Sequence, residues 1–176
     1  LVQEEISSLP LNFLLDNHEI AFHLVDLPDN FYDLSTLYMA RKCELCRDHS
    51  QLGNKCVCLI CEQVLCSYVC KNNVGAATGN LNKHAVKHHL GCSAFLSLEN
   101  GCVFLVNNPK NIDYGALYVD KFGQRFSSER SKDWNSYSLD RKMYNKLKEL
   151  IQTNSIPQEI CSCIVRAERK LIDAIL

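Results

Sequence analysis

Apolar residues recur along the chain with periods that predict an alternation of short helices and short strands. Phe31, Leu34, Leu37 and Tyr38 follow one another at helical spacing and predict a short amphipathic helix. Apolar runs predict extended segments at residues 20–25, 57–60, 64–65, 93–98, 102–106 and 116–119. The 57–60 and 64–65 runs predict a small hairpin, and an Asn-Gly pair at 100–101 predicts a second one. Residues 72–82 are predicted to form a loop, and residues 81–89 a short helix.

Two longer helices are predicted in the C-terminal part. The first carries an apolar stripe, with Ser138 as its expected N-cap: Leu139, Met143, Leu147, Leu150 and Ile151. The second opens near Ser155 and Pro157 and carries another stripe: Ile160, Ile164, Val165, Leu171, Ile172 and Ile175. A stripe this long favours docking onto another part of a longer protein, although a solvated helix capping the domain is the alternative.

Cysteines and histidines are concentrated between residues 43 and 92, at spacings typical of zinc ligands. Two Cys-x-x-Cys pairs begin at Cys43 and Cys58, and a lone Cys66 precedes a His/Cys block. Zinc prefers four nitrogen or sulfur donors, and a two-residue spacer lets two thiolates face one ion. The candidate ligands are Cys43, Cys46, Cys58, Cys61, Cys66, His84, His88 and Cys92. They suffice for two ions, with a third possible, and four protein ligands per ion predict structural sites.

Spacing alone does not assign these ligands to ions. His84 and His88 are four residues apart on a predicted helix, so local geometry places them on one ion. A C2H2 nucleic-acid finger would pair them with Cys58 and Cys61, but the gap between Cys61 and His84 is too long for such a finger.

Bulk composition narrows the class of protein. The chain has 176 residues, and its 19 basic and 20 acidic residues give a net charge of −1, which disfavours nucleic acid as a partner. A disulfide scaffold is disfavoured because the 11 cysteines are odd in number and interleaved with histidines. No secretory signal is visible, and no apolar run approaches the roughly 20 residues that span a bilayer. We therefore expect a cytoplasmic and possibly nuclear protein, and a chain beginning at Leu1 is expected to be a fragment.

The order of the metal-ligand motifs resembles the UBP-type zinc finger of deubiquitinases and related ubiquitin-binding proteins. The resemblance implies that one ion takes Cys43, Cys46, Cys66 and His84. It implies that a second ion takes Cys58, Cys61 and His88, with Cys92 where the family has a last histidine. A thiolate is an acceptable replacement for an imidazole at zinc.

Two departures bear on ubiquitin binding. UBP fingers that hold the C-terminal glycines of ubiquitin use a tryptophan and an arginine. Here those positions fall near Cys56 and near Ser67 or Tyr68. Because the arginine pairs with a carboxylate and the aromatic ring packs the glycine tail, we expect this binding to be lost. A ubiquitin-binding UBP finger remains the alternative function.

A resemblance to the C-terminal zinc-binding domain of UBR-type N-recognin ubiquitin ligases covers residues 22–160. Its motifs begin with Phe22-His-Leu-Val-Asp-Leu-Pro and Cys58-Leu-Ile-Cys61, and they continue through Ala94-Phe-Leu-Ser-Leu98, Cys102-Val-Phe-Leu105 and Leu117-Tyr-Val-Asp120. Family members carry a thiol near Cys70, which makes Cys70 the chief rival of Cys46 for the first ion. Cys56, His49 and Cys102 are more remote candidates.

This second resemblance implies a non-catalytic module of a RING-type E3 ligase that recognises N-degrons. The implied partners are the other domains of the ligase and, indirectly, an E2 enzyme, ubiquitin and substrates. The implied role is structural, docking or autoinhibitory. Together with the residue pattern it predicts an α+β fold with a UBP-finger-like mixed sheet. The expected divisions are an N-terminal segment at 1–42, a zinc-binding core at 43–135 and C-terminal helices at 136–176.

Rival interpretations of single residues are less favoured. Cys70 or Cys56 near His49 or His89 would form a Cys–His nucleophile, but ligation or packing explains these residues more simply. The ligand order lacks the eight-member RING spacing, which disfavours E2 recruitment by the module itself. Histidines outside the block, His18 and His23, are expected not to bind metal. The remaining cysteines, Cys102, Cys161 and Cys163, are expected to be small buried hydrophobes.

Overall fold

A five-stranded antiparallel sheet with helices around it forms the protein. The computed structural model describes residues 23–46, 55–67, 79–125 and 133–175. The sheet strands are β1 (Lys55–Cys58), β2 (Val64–Cys66), β3 (Cys92–Ser97), β4 (Cys102–Asn107) and β5 (Lys110–Ala116). Their order is β2-β1-β3-β4-β5. The helices are α1 (Phe31–Met39), α2 (Asn80–His88), α3 (Arg141–Gln152) and α4 (Ile156–Ile175), and β6 (Tyr118–Val119) pairs with β7 (Ser138–Leu139).

The main core forms where α1 and the C-terminal helices meet the sheet. Phe31, Leu34 and Tyr38, spaced by three and four residues on one face of α1, are buried. They join buried residues of β3, β4 and α3 in one hydrophobic cluster. Gly101 has a φ of +66° in the β3–β4 turn, and a side chain there would contact the Phe31 ring. Because that contact would be at an ordinary van der Waals distance, the positive φ of the turn is what favours glycine here.

Short backbone links join the N-terminal helix to the start of α3. Phe31 N–H donates to Tyr137 O at 3.1 Å, and Leu139 N–H donates to Asp29 O at 2.8 Å. The side chain of Asp140 caps α3 by accepting hydrogen bonds from the backbone N–H groups of Lys142 and Met143. Trp134, in a short 3-10 turn, packs on Phe31 with ring centroids 5.7 Å apart. Residues 134–140 are thus anchored to the same core as α1.

The α+β class predicted from the sequence is confirmed. Residues 31–39 form the predicted helix, and both predicted hairpins are present around β1–β2 and β3–β4. The N-cap prediction is wrong, because Ser138 lies in β7 and Asp140 caps the helix. The predicted loop is wrong at residues 80–82, which belong to α2; residues 72–78 lie outside the described set. In the extended segment expected at 20–25, only residues 23–25 are described.

The strand β5 was not predicted. Polar and apolar residues alternate only weakly in its sequence. It is the edge strand of the sheet, and Lys110, Asn111 and Asp113 are exposed. The division at residues 42 and 135 stays a prediction. Among the described residues, no helix is both long and apolar enough to cross a bilayer.

Candidate metal centre

The turn of the β1–β2 hairpin positions the first pair of sulfur donors. Cys58 ends β1, and its backbone N–H donates to Gln63 O at 2.9 Å across the turn. Glu62 N–H in turn donates to Cys58 O at 2.9 Å, and Glu62 has a φ of 60°. This left-handed residue tightens the turn directly after Cys61. The two cysteines of the pair therefore lie on one side of the hairpin end.

Helix α2 and the residue that follows it supply two imidazoles to the same place. His84 Nε2 lies 3.3 Å from Cys61 Sγ, and His89 Nε2 lies 3.3 Å from Cys58 Sγ. The two Nε2 atoms are 3.2 Å apart. We call Cys58, Cys61, His84 and His89 the quartet; their ligand atoms all lie within 4.8 Å of one another. Four nitrogen and sulfur donors at such separations fit a tetrahedral zinc ion.

The pKa values of the two quartet thiols are shifted in opposite directions, which bears on how the quartet binds a metal cation. The Cys58 thiol has a lowered pKa, chiefly because Cys61 hydrogen-bonds to it, and His84, His89 and Ser93 add to this effect against burial. The pKa of Cys61 is raised by the same hydrogen bond and by burial. One thiolate is thus stabilised before any metal binds. The metal must displace the proton of the second thiol, so acid opposes loading.

A second cluster, formed by Cys43, Cys46 and Cys66, lies at the other end of β2. Cys46 Sγ and Cys66 Sγ are 3.7 Å apart, and Cys66 N–H donates to Cys43 Sγ at 3.3 Å. Burial opposes ionisation of Cys43, but backbone N–H groups of Cys46, Cys66 and Leu45 outweigh it and lower its pKa to about 7. Three thiols in this arrangement can hold zinc with one further donor.

A buried lysine fixes the backbone that leads from α1 to the second cluster. Lys55 on β1 is 1% exposed, and its Nζ donates to Met39 O at 3.1 Å and to Arg41 O at 2.8 Å. These carbonyls belong to the end of α1 and the residues just after it, which have no intrahelical partners. Lys55 therefore fixes the path of the chain from α1 to Cys43.

The structure brings the predicted ligands together in groups that differ from those implied by the resemblance. His84 lies with Cys58 and Cys61, whereas the resemblance placed it with Cys43, Cys46 and Cys66. His88 is exposed and groups with Glu44 and His84, and Cys92 joins neither described cluster. His89 completes the quartet, a role that the sequence reasoning did not assign. The two predicted ligand sets stay predictions.

Other candidate residues lie away from the clusters or outside the described residues. Cys56 is buried and contacts Ser67 Oγ at 3.3 Å, and burial raises its pKa to about 12. Cys102 is buried as expected, whereas Cys161 is exposed, contrary to expectation. The candidates His49 and Cys70, and the histidine His18, lie outside the described residues.

Replacing His89 by alanine is expected to weaken zinc binding at the quartet strongly, whereas His88→Ala should leave it almost unchanged. His89 is buried with its Nε2 among the donors, and His88 is exposed outside them. Isotope-labelled imidazole NMR and zinc competition with a chromogenic chelator measure both effects. If His88→Ala weakened zinc binding more than His89→Ala, His84 and His88 would instead be the histidine ligands.

Comparison with known proteins places the chain in a family. Residues 2–151 match the family model described as Proteolysis_6 C-terminal, which represents the C-terminal region of the N-recognin PRT6. The match covers most of the chain. A search of the curated proteins finds no match.

Proposed function

Because the chain belongs to the Proteolysis_6 C-terminal family, we propose that this domain of an N-degron ubiquitin ligase is a non-catalytic, zinc-stabilised docking module. It would organise or restrain the recognition and RING modules of a RING-type ligase. E2 enzyme, ubiquitin and substrates would then be indirect partners.

The observation that carries a structural role is the composition of the quartet. Four protein donors lie within 4.8 Å of one another, so an ion among them has no position left for a reacting water. Three of the four residues are buried, and only Cys61 is exposed. Zinc at this place would join the β1–β2 hairpin to α2 and would supply no chemistry.

We assign two zinc ions by geometry. One ion takes Cys58, Cys61, His84 and His89. The other takes the Cys43–Cys46–Cys66 cluster with a fourth donor, for which we propose Cys70, the residue that the resemblance gave as the rival of Cys46 at this ion. Thiols in this role must stay reduced, so the cytosol or nucleus is the proposed compartment.

A catalytic cysteine finds little support among the described residues. A nucleophilic thiol needs a lowered pKa and an open face. Cys56 has neither, since it is fully buried and its pKa is raised to about 12. Cys58 has a lowered pKa, but its partners are the donors of the quartet.

The docking role is supported by α4. Ile156 and Ile160 of this helix are buried in the core, but the helix then continues with mainly exposed residues from Cys161 to Lys170. Val165 is 46% exposed. An extended helix with one end packed and the other exposed presents a surface to further parts of the ligase.

A reconstitution experiment tests the docking role. The zinc-loaded 176-residue protein is expected to bind the purified upstream part of the same ligase and to leave E2~ubiquitin discharge unchanged when it is added without that part. Calorimetry measures the first and a single-turnover discharge assay the second. No binding to the upstream part would refute docking, and discharge by the isolated domain would refute the non-catalytic role.

Ubiquitin binding through a UBP-type pocket is the alternative function. The position that would hold the tryptophan falls near Cys56, whose buried thiol contacts Ser67, the position near the family's arginine. A small buried pair in this place leaves neither an aromatic wall nor a guanidinium. Titrating labelled ubiquitin with the zinc-loaded protein separates the two functions, since shifts at the ubiquitin C-terminal glycines would favour the alternative.

A further inference from the structure

A cleft with an excess of positive charge lies between β5, α3 and α4 and has a volume of about 360 Å³. We call it the basic cleft, and its lining includes Tyr114, Lys146, Glu159, Cys163, Arg166 and Lys170. It shares no residue with the metal clusters. Its helical residues from Glu159 to Lys170 recur at spacings of three or four and so lie along one face of α4.

The cations of the basic cleft are only partly neutralised. Glu159, whose side chain is 16% exposed, lies 3.5 Å from Lys146 Nζ and 3.2 Å from Arg166 Nη2. Glu159 is the one acidic residue of the described lining, whereas Lys146, Arg166 and Lys170 are three basic ones. Two positive charges therefore remain in excess among the described lining residues. The shared carboxylate also holds Lys146 and Arg166 in place before any ligand arrives.

An unused hydroxyl lies in the same cleft. Tyr114 Oη is buried and faces the Lys146 ammonium group, which can only donate to it, so the Tyr114 O–H proton has no acceptor among the described residues. Lys146 Nζ lies above the Tyr114 ring, 5.4 Å from its centroid, so positive charge and an available O–H donor are close together. Buried hydroxyls are normally paired, and an incoming acceptor would supply the missing partner.

We propose that the basic cleft binds a carboxylate side chain from an acidic segment of a partner polypeptide. The carboxylate would accept from Tyr114 Oη and face Lys146 and Lys170, while Arg166 stays paired with Glu159. Charge complementarity selects this occupant, because an apolar or basic segment would leave the excess charge unbalanced. The inference rests on the proposed docking role and names the chemistry of one contact within it.

Ion pairing within the domain alone does not account for all the polar groups of the basic cleft. The ion pair of Glu159 with Lys146 ties α3 to α4, the pair of Glu159 with Arg166 lies within α4, and neither needs a ligand. They do not use Lys170, which makes no ion pair with the described residues, and they leave the Tyr114 O–H proton without an acceptor. These two groups are therefore the ones to change.

Titration of the labelled, zinc-loaded protein with acetylated hexaglutamate tests the proposal, with acetylated hexalysine as the control peptide. Hexaglutamate is expected to shift amide signals of β5, α3 and α4, and hexalysine to shift none of them. Tyr114→Phe removes only the hydroxyl and should raise the dissociation constant roughly tenfold, as for a hydrogen bond to a charged group. Lys170→Gln should raise it roughly two- to fivefold, as for an exposed ion pair.

Arg169→Gln is the matched control, because Arg169 is an exposed cation of α4 that does not line the cleft. It should bind hexaglutamate like the unmodified protein. Equal losses in all three variants, or shifts spread over the whole surface, would mean non-specific attraction and would overturn the proposal. Absence of binding would overturn it as well. If the domain still binds the upstream part of the ligase, only the basic cleft is refuted and the docking role stands.

Discussion

Replacing Cys61 by alanine is expected to release one zinc ion and to unfold the segment from β1 to the start of β3. Cys61 Sγ is one of four donors, and the quartet joins a hairpin to α2 across a long stretch of chain. A structural zinc site contributes on the order of 10 kcal/mol of apparent binding energy, comparable with the whole stability of a domain. The same result is expected for Cys58→Ala. Zinc content by mass spectrometry and near-UV circular dichroism measure it.

Cys161→Ala is the control for the quartet variants. Cys161 is an exposed thiol outside the described metal clusters, so its removal should preserve both zinc content and spectrum. Full zinc content and an unchanged near-UV spectrum in Cys61→Ala would contradict a structural role for the quartet.

Lys55→Met is expected to lower the free energy of unfolding by about 3 kcal/mol, because buried acceptors that lose a charged donor remain unsatisfied. Methionine keeps the length of the side chain but cannot donate to the Met39 and Arg41 carbonyls. The chain just before Cys43 should then loosen, and the second cluster should hold zinc less tightly. Urea unfolding and chelator competition measure the two effects.

Lys110→Met provides the comparison for Lys55→Met. Lys110 is exposed at the start of the edge strand β5, so its change should alter stability by less than about 0.5 kcal/mol. Equal stability changes in the two variants would show that the carbonyl contacts of Lys55 contribute nothing.

Hydrophobic periodicity predicted most of the helices and strands, because the side of each element that is buried carries its apolar residues. The α1 stripe at Phe31, Leu34 and Tyr38 is buried as the pattern requires, and β3 and β4 are apolar runs in the middle of the sheet. The pattern failed where burial is weak. β5 is an edge strand with several exposed positions, and Ser138 looked like a cap only because the pairing of β7 with β6 is a tertiary contact.

Ligand grouping depends on local geometry that spacing does not specify. His84 and His88 share a helix face by the i, i+4 rule, which favoured them as partners. The helix ends at His88, and His89 has a φ of −137°, outside the helical range. This turn of the chain brings the His89 ring beside His84 and leaves His88 exposed. Gly91, which has a φ of 88° and donates to Ala85 O, signals the end of the helix in the sequence, but such a signal does not specify the exact last residue.

The quartet joins Cys61 to His84, which are 23 positions apart in the sequence. The entropy lost on closing a flexible loop grows only logarithmically, by about 0.6 kcal/mol for each doubling of its length. Evolution can therefore lengthen the part between β2 and α2 at small thermodynamic cost, provided that both anchoring ends keep their donors. Relatives of this domain are expected to differ most in length at that point, and an inserted tag or partner-binding motif should be accommodated there.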